Sequence, residues 1–508
     1  MAYRRMGWME HHSRIAAAVL ALATILSPGC PGGDASFDLR VDLVPPPGQD
    51  PFEDLDVLEM TLEYDQGTLL TFYASPVENG EWQIGGVPPS AEAGLAVVSF
   101  RGMGLDPADE ENALELANGV SVPVSVDTAQ SVSVYFSRRQ RLGQVAGELG
   151  ARRVDAGIAA LPGGDALVVG GRVGSYPVDQ TSPGIERLAL GGDGRYVFDD
   201  VDATYHRLGA VLHTVDRAGS PLDGRVLIIG GWEGAVEGNA MVTEVDTYDP
   251  ATDTVAEAFE LPIAVAHPEL THLEDGRLLL SGGLVWQASD ELPSGDYIVI
   301  DLLVGQAVIG GQMDRSRVNH RAAQLEDGAV LVCGGSRYGF SGWSSTGECE
   351  VWTPGGVDSN EGMSLAEPRS DFGLLRLTDD PQGRIVAFGG CVEDPDLGPD
   401  ALDSAEVYDP TSRTWSALDV RMASPRCDFG VASLADGRTL ICGGEDAAGE
   451  ALESCELFDP AVEAFVPLPD VVIPGGRSAF GVATLSDGKL LLVGGDGGDA
   501  QVAYLFNP

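Results

Sequence analysis

The chain has 508 residues, a formal net charge of −48 and 30 basic residues, of which all but Lys489 are arginine. Phosphate recognition leans on basic patches, so this balance excludes nucleic acid and anionic membrane surfaces as partners of the folded chain. The acidity suits solubility or adaptation to salt, and the near-exclusive use of arginine looks like genome-wide codon bias.

The opening segment, MAYRRMGWMEHHSRIAAAVLALATILSPGC, has an arginine-bearing start and a twelve-residue apolar run from Ile15 to Leu26. That run is too short to span a bilayer, so residues 1–29 are expected to be a cleaved signal peptide. Its end resembles the lipobox of bacterial lipoproteins, which implies a diacylated Cys30 as the mature N-terminus. Gly29 fits the pattern, whereas Ser27 stands where the family usually has leucine. The alternatives are secretion without an anchor and, from Arg4-Arg5, twin-arginine export. Pro31 after Cys30, where an Asp would signal retention, favours delivery to the outer membrane by the same resemblance.

Residues 30–137 are expected to form a small antiparallel sandwich of immunoglobulin type. Their short alternating runs are FDLRVDLV, VLEMTLEY, LLTFYASP, EWQIGGV, AGLAVVSFRG, VSVPVSV and SVSVYFS, separated by Pro, Gly and acidic turns. A spacer or docking role is expected for this domain.

From Arg138 onward the sequence repeats. Gly-Gly pairs close apolar runs at Gly170, Gly230, Gly282, Gly334, Gly389, Gly443 and Gly494, 51 to 60 residues apart. Asp-Gly turns precede most of them, as in LEDGRLLLSGG and LADGRTLICGG, and mark a tight hairpin between strands a and b. A strand c ends in VDTYDP, AEVYDP or CELFDP, and a strand d carries Trp415 or Phe465 in the better copies. Units of this length with Gly-Gly and Tyr-Asp-Pro resemble the kelch repeat, which implies an all-β, seven-bladed β-propeller over residues 138–508. The first copy is degenerate, the third lacks Tyr-Asp-Pro, and the fourth has Trp-Thr-Pro there. The chain stops after a third strand, so a segment near residues 141–150 is expected to supply the missing outer strand and cover the edge.

Setting Cys30 aside leaves six cysteines, an even number that suits an oxidising compartment. Cys333 and Cys442 end strand b, and Cys349 and Cys455 begin strand c, so the expected disulfides are Cys333–Cys349 and Cys442–Cys455. Cys391 and Cys427 remain as a third pair. No Cys-x-x-Cys spacing occurs, which argues against zinc, and neither a metal nor a cofactor is expected.

In an antiparallel a-b-c-d unit the b–c and d–a connections emerge on one face. The b–c loops are long and unequal, and loops on a rigid scaffold are where recognition usually sits. Trp232, Trp286, Tyr338, Phe340 and Trp343 lie in them, either contacting a ligand or capping their own blade. Arg317, Arg369, Arg426 and Arg477, with Arg153 as a weaker match, recur at the start of strand a. Such a ring of guanidinium groups could hold an acidic ligand. The stronger reading pairs them with Glu186, Asp246, Glu350, Glu406 and Glu456, which recur on strand c.

For catalysis the residues are sparse. Some kelch-like propellers are copper oxidases built on two histidines, two tyrosines and a thioether-linked cysteine, a constellation not repeated here. The sialidase Ser-x-Asp-x-Gly-x-x-x-Trp motif is absent too. The expectation is an exported, lipid-anchored module binding a protein or a glycan at the bacterial cell envelope. A carbohydrate-active or oxidising enzyme using the channel mouth is the alternative.

Overall fold

The computed structural model describes residues 37–64, 69–74, 81–87, 95–105, 113–125, 131–173, 184–233, 240–287, 290–340, 342–358, 363–377, 380–394 and 398–508. Cys30 and the expected signal segment lie outside them. The chain divides into two compact units: one runs to Ala146 and includes Leu190–Val197, and the other holds Gly147–Ala189 and Phe198–Phe506.

The first unit contains β1 (Phe37–Val44), β2 (Val57–Tyr64), β3 (Leu69–Ala74), β4 (Glu81–Val87), β5 (Ala96–Leu105), β6 (Ala113–Val120) and β7 (Ser131–Arg138). Hydrogen bonds join all seven in one series, β3-β2-β5-β6-β7-β1-β4, where the sequence reading expects two separate sheets. Neighbours run antiparallel except β1 and β7, which pair in parallel from Arg40–Ser131 to Val44–Tyr135. Side chains alternate across a strand, so every second residue can face one core. Leu58, Met60 and Leu62 of β2, Val98 and Phe100 of β5, Leu39 and Val41 of β1, and Val134 and Phe136 of β7 share a single buried cluster.

One strand sits earlier than the sequence reading places it. Of the expected strand VSVPVSV, residues 121–125 are not a strand; β6 is ALELANGV instead. Pro123 has no N–H for a ladder, and Val124 makes only an isolated bridge to Ala96.

The second region is built from seven four-stranded sheets among the described residues. Strand b is Ala166–Val169, Val226–Ile229, Leu278–Ser281, Val330–Cys333, Ile385–Phe388, Thr439–Cys442 and Leu490–Val493 in the seven sheets. All four residues of every one are buried. This is why these segments read as continuous apolar runs: each is covered on both faces by neighbouring sheets. The outer strand of the fifth sheet, Thr414–Arg421, is instead largely exposed. The three irregular repeats form four strands like the rest. In the seventh sheet the order ends with Arg141–Glu148 beside Val502–Asn507. Nearby, Leu149 N donates to Gln501 O at 2.9 Å, and Gln501 Nε2 donates to Leu149 O at 2.9 Å.

Contacts between sheets explain the Gly-Gly pairs. In every pair the first glycine has φ between +56° and +73° and the second between +87° and +98°, the left-handed region that a Cβ disfavours. Space forbids a Cβ as well: at Gly334 it would lie 2.6 Å from Arg369 O, and at Gly494 2.4 Å from Arg153 O. The second glycine donates to that same carbonyl of the next sheet, as in Gly335 N to Arg369 O at 2.8 Å and Gly444 N to Arg477 O at 2.8 Å. Gly495 N donates to Arg153 O at 2.6 Å, tying the last sheet to the first.

Candidate functional site

The recurring arginines are interior groups. Arg317 is 1% exposed, and Arg369, Arg426 and Arg477 are 0% exposed. Arg369 donates to Gly389 O at 2.8 Å and to Glu406 Oε1 at 2.9 Å; Arg426 donates to Gly443 O at 2.7 Å and to Glu456 Oε1 at 2.9 Å. Arg153 pairs with Glu186 at 2.5 Å, and Arg207, a ring member that the sequence reading omits, pairs with Asp246. The guanidinium groups of Arg153, Arg207, Arg369 and Arg426 each bond the carbonyl of a Gly-Gly pair and a strand-c acid, and so fasten the base of a b–c loop. The open ring of arginines presented to an acidic ligand is therefore corrected: burial and internal partners occupy them.

Two sheets depart from the pairing. Glu350 accepts from Tyr297 Oη at 2.7 Å and Asp314 N at 3.0 Å, and Arg317 turns to Gly334 O and Glu348 O. In the seventh sheet Arg477 bonds Val502 O at 2.8 Å and lies over the Tyr504 ring. The third sheet has neither charge: Val265 stands at the arginine position, and Ile298, opposite Leu280, at the acid position. Both charges are absent there, whereas the seventh sheet keeps a buried arginine with Tyr504 at the acid position and carbonyls as its partners.

Two residues beyond each arginine position stands a second ring: Asp155, Gly209, His267, Asn319, Asp371, Asp428 and Ala479. All seven have φ between +48° and +63°. Left-handed backbone is best tolerated by Gly, Asn and Asp, which accounts for most of these residue types. The conformation turns the peptide groups along the ring, with Asp371 N donating to Asn319 O at 3.0 Å, Ala479 N to Asp428 O at 3.0 Å and Asp155 N to Ala479 O at 3.2 Å. The Arg-x-Asp spacing was present in the sequence and was the signal that could have found this ring.

These residues line a central cavity of about 690 Å³, together with Arg172, Glu269, His320, Arg321, Ser336, Trp343 and Glu393. Arg172 pairs with Asp155 at 2.9 Å and Arg321 with Glu269 at 3.3 Å. Burial pushes His267 and His320 below the usual imidazole range, so both are neutral. Asp371 lies well above the usual carboxylate range, through burial and the neighbouring Asp428. Asp428 is raised to about 7, through burial first and then the charges of Asp155 and Glu445. Among the described residues no group of three or more His, Cys, Asp or Glu is arranged to hold a metal ion.

Beside the cavity mouth the b–c connections form two-stranded hairpins: Leu284–Gln287 with Asp290–Pro293, Ser336–Gly339 with Gly342–Ser345, and Cys391–Asp394 with Gly398–Ala401. Ser345 Oγ accepts from Glu393 N at 2.8 Å and joins the last two. Trp286, Tyr338 and Trp343 are 59%, 55% and 37% exposed, and Phe340 at the fourth-sheet tip is fully exposed. Tyr338 and Trp343 meet edge to face with centroids 5.4 Å apart. Trp232 is different: at 6% exposure it packs on His267, so its place on the binding face is corrected. Cys333–Cys349, Cys442–Cys455 and Cys391–Cys427 lie at disulfide distance, and the first two pairs are directly opposed in the strand register.

The kelch motif family matches residues 381–418, from the a–b turn of the fifth sheet into its strand d. The chain is 31% identical over 147 residues to human Kelch-like protein 33, covering 29% of this chain and 25% of that one. It is 34% identical over 104 residues to the F-box/kelch-repeat protein SKIP11 of Arabidopsis thaliana, covering 20% and 21%. The chain thus spans about a quarter or less of these relatives' own length. A fungal alcohol oxidase solved in complex with copper superposes with a TM-score of 0.53 at 14% identity, over 71% of this chain and 75% of that one. At that identity the likeness speaks for the fold alone. The chain carries a kelch motif and has the β-propeller fold.

Proposed function

We propose that the protein is a binding module that docks a protein partner on the hairpin-bearing face, held at the bacterial cell envelope by a lipid on Cys30 after export. Kelch repeats suggest a protein-binding module. The observation that carries the reading is the fourth-sheet hairpin, where Tyr338, Phe340 and Trp343 stand exposed on a loop fastened at its base by Cys333–Cys349 and Arg317. Exposed aromatics on a rigid support are the usual anchors of protein interfaces. The seven sheets act as seven blades, closed by the strand from Arg141, and the N-terminal domain serves as a spacer. A glycan ligand uses the same aromatics and is the second outcome of the test.

The test places a photo-crosslinking amino acid at Phe340, or at Asp275 on an a–b turn, in cells. A single crosslinked protein species at 340, absent at 275 and lost on Trp343→Ala, supports the reading. Equal labelling at both positions, or retention of a purified glycan with no crosslinked protein, overturns the protein-binding reading. Labelled palmitate incorporated into the chain and lost in Cys30→Ala tests the anchor.

A further inference from the structure

The charges around the central cavity do not balance. Five carboxyl groups line it, and its two guanidinium groups are bonded to Asp155 and Glu269. Asp371, Asp428 and Glu393 have no ion pair of their own, although Asp428 bonds Asp371, and the Arg321 charge, already paired with Glu269, acts on both. Asp371 takes the Asn319 amide at 2.9 Å, and Glu393 Oε2 has no hydrogen-bond partner. A separate observation points the same way. Ser336, on the cavity wall and 1% exposed, has a hydroxyl with no hydrogen-bond partner. An unpaired buried hydroxyl costs about 1–3 kcal/mol, so this group is poised for a ligand donor. Trp343 of the same hairpin borders the cavity, and an indole is the aromatic ring that attracts a cation best.

We propose that the cavity is a receptor for an organic cation, an ammonium or guanidinium group, held by Asp371, Asp428 and Glu393 with Ser336 as acceptor and Trp343 at the rim. An anion is disfavoured by the three surplus carboxyls. The volume of about 690 Å³ suits a basic side chain or a small amine. The raised proton affinity of Asp371 and Asp428 fits a site where a proton balances charge that a cation would otherwise balance. The inference rests on the reading of this face as the binding face and names the group it takes.

The test titrates the purified mature chain with agmatine, with the capped peptide Gly-Arg-Gly and with its citrulline counterpart, a neutral isostere, followed by calorimetry and tryptophan fluorescence. Both cationic probes are expected to saturate, and the citrulline peptide to bind at least tenfold more weakly. Asp371→Asn with Asp428→Asn is expected to weaken both cationic probes at least tenfold, whereas Asp275→Asn, on an a–b turn, leaves them unchanged. If that double variant does not fold, Glu393→Gln and Ser336→Ala serve in its place. Tighter binding of the arginine peptide than of agmatine assigns the cation to a protein side chain, and the reverse assigns it to a free amine. Equal affinity for citrulline, no saturation by either cationic probe, or unchanged binding in the acid variants overturns the proposal. Probe binding without a crosslink at Phe340 removes the protein-docking reading and leaves the receptor standing.

Discussion

Arg426 and Glu456 offer a quantitative test of why the arginine ring exists. Their side chains are 0% and 1% exposed, the pair spans 2.9 Å, and burial lowers the proton affinity of the guanidinium while raising that of the carboxyl. Arg426→Val leaves Glu456 buried with only the Ala423 N–H at 3.0 Å, and Glu456→Ile leaves the guanidinium with carbonyl partners and Ser454 Oγ. Removing one partner of a buried ion pair costs about 3–5 kcal/mol, so the two single changes together sum to about 6–10 kcal/mol. The double variant removes both charges and reproduces Val265 and Ile298 of the third sheet. It still loses the bonds to Gly443 O and Ser454 O; Ser454 O keeps the Gly443 N–H at 3.0 Å, so one carbonyl is left unpaired and an overall loss of about 1–3 kcal/mol is expected. The cycle therefore predicts non-additivity on the order of 4 kcal/mol. Urea unfolding under oxidising conditions, followed by tryptophan fluorescence, measures it. Should either single variant fail to accumulate, the double variant is expected to restore soluble protein. A double variant as unstable as the sum of the singles would refute the reasoning.

Four further outcomes are expected. Gly334→Ala, where the new Cβ meets Arg369 O at 2.6 Å, should lower stability by more than about 2 kcal/mol, whereas Gly488→Ala, also at positive φ but with nothing within 4 Å, should cost about 1 kcal/mol in the same titration. Replacing Cys442 and Cys455 by serine opens a loop of 13 residues and should cost about 3 kcal/mol, read as a lower urea midpoint; an unchanged midpoint counts against the bond. The Asp428 carboxyl binds its proton more tightly folded than unfolded, so its contribution is complete below about pH 4 and is lost as the pH rises through about 7. Asp428→Asn should therefore raise the unfolding temperature most at pH 8, less at pH 5, and leave it nearly unchanged at about pH 3, and a gain confined to acid would contradict the assignment. Ala479→Gly relieves a left-handed alanine at φ +49° and should stabilise by about 0.5–1 kcal/mol in the same scans.

The sequence by itself determined the repeat, because a strand buried on both faces must be apolar throughout, and a left-handed turn packed against a carbonyl admits only glycine. ALVVGG, VLIIGG and LLLVGG therefore declare strand b and its end without help from the fold. The thiols of Cys333 and Cys349 were likewise legible, since their places in adjacent strands set them opposite one another. What the tertiary structure decided is where those strands put their neighbours. Arg369 and Glu406 lie 37 residues apart; their recurrence at fixed places in the repeat favoured the pairing, and the strand register adds that the arginine is buried with its charge spent inside. Trp232 directly follows its Gly-Gly pair and packs on His267, whereas Trp286 stands two places further along its hairpin and faces solvent. The acidic cavity was the least legible feature, because Asp155, Asp371 and Asp428 converge only when the chain comes full circle, and a surplus of charge becomes visible only once the internal pairs have been made.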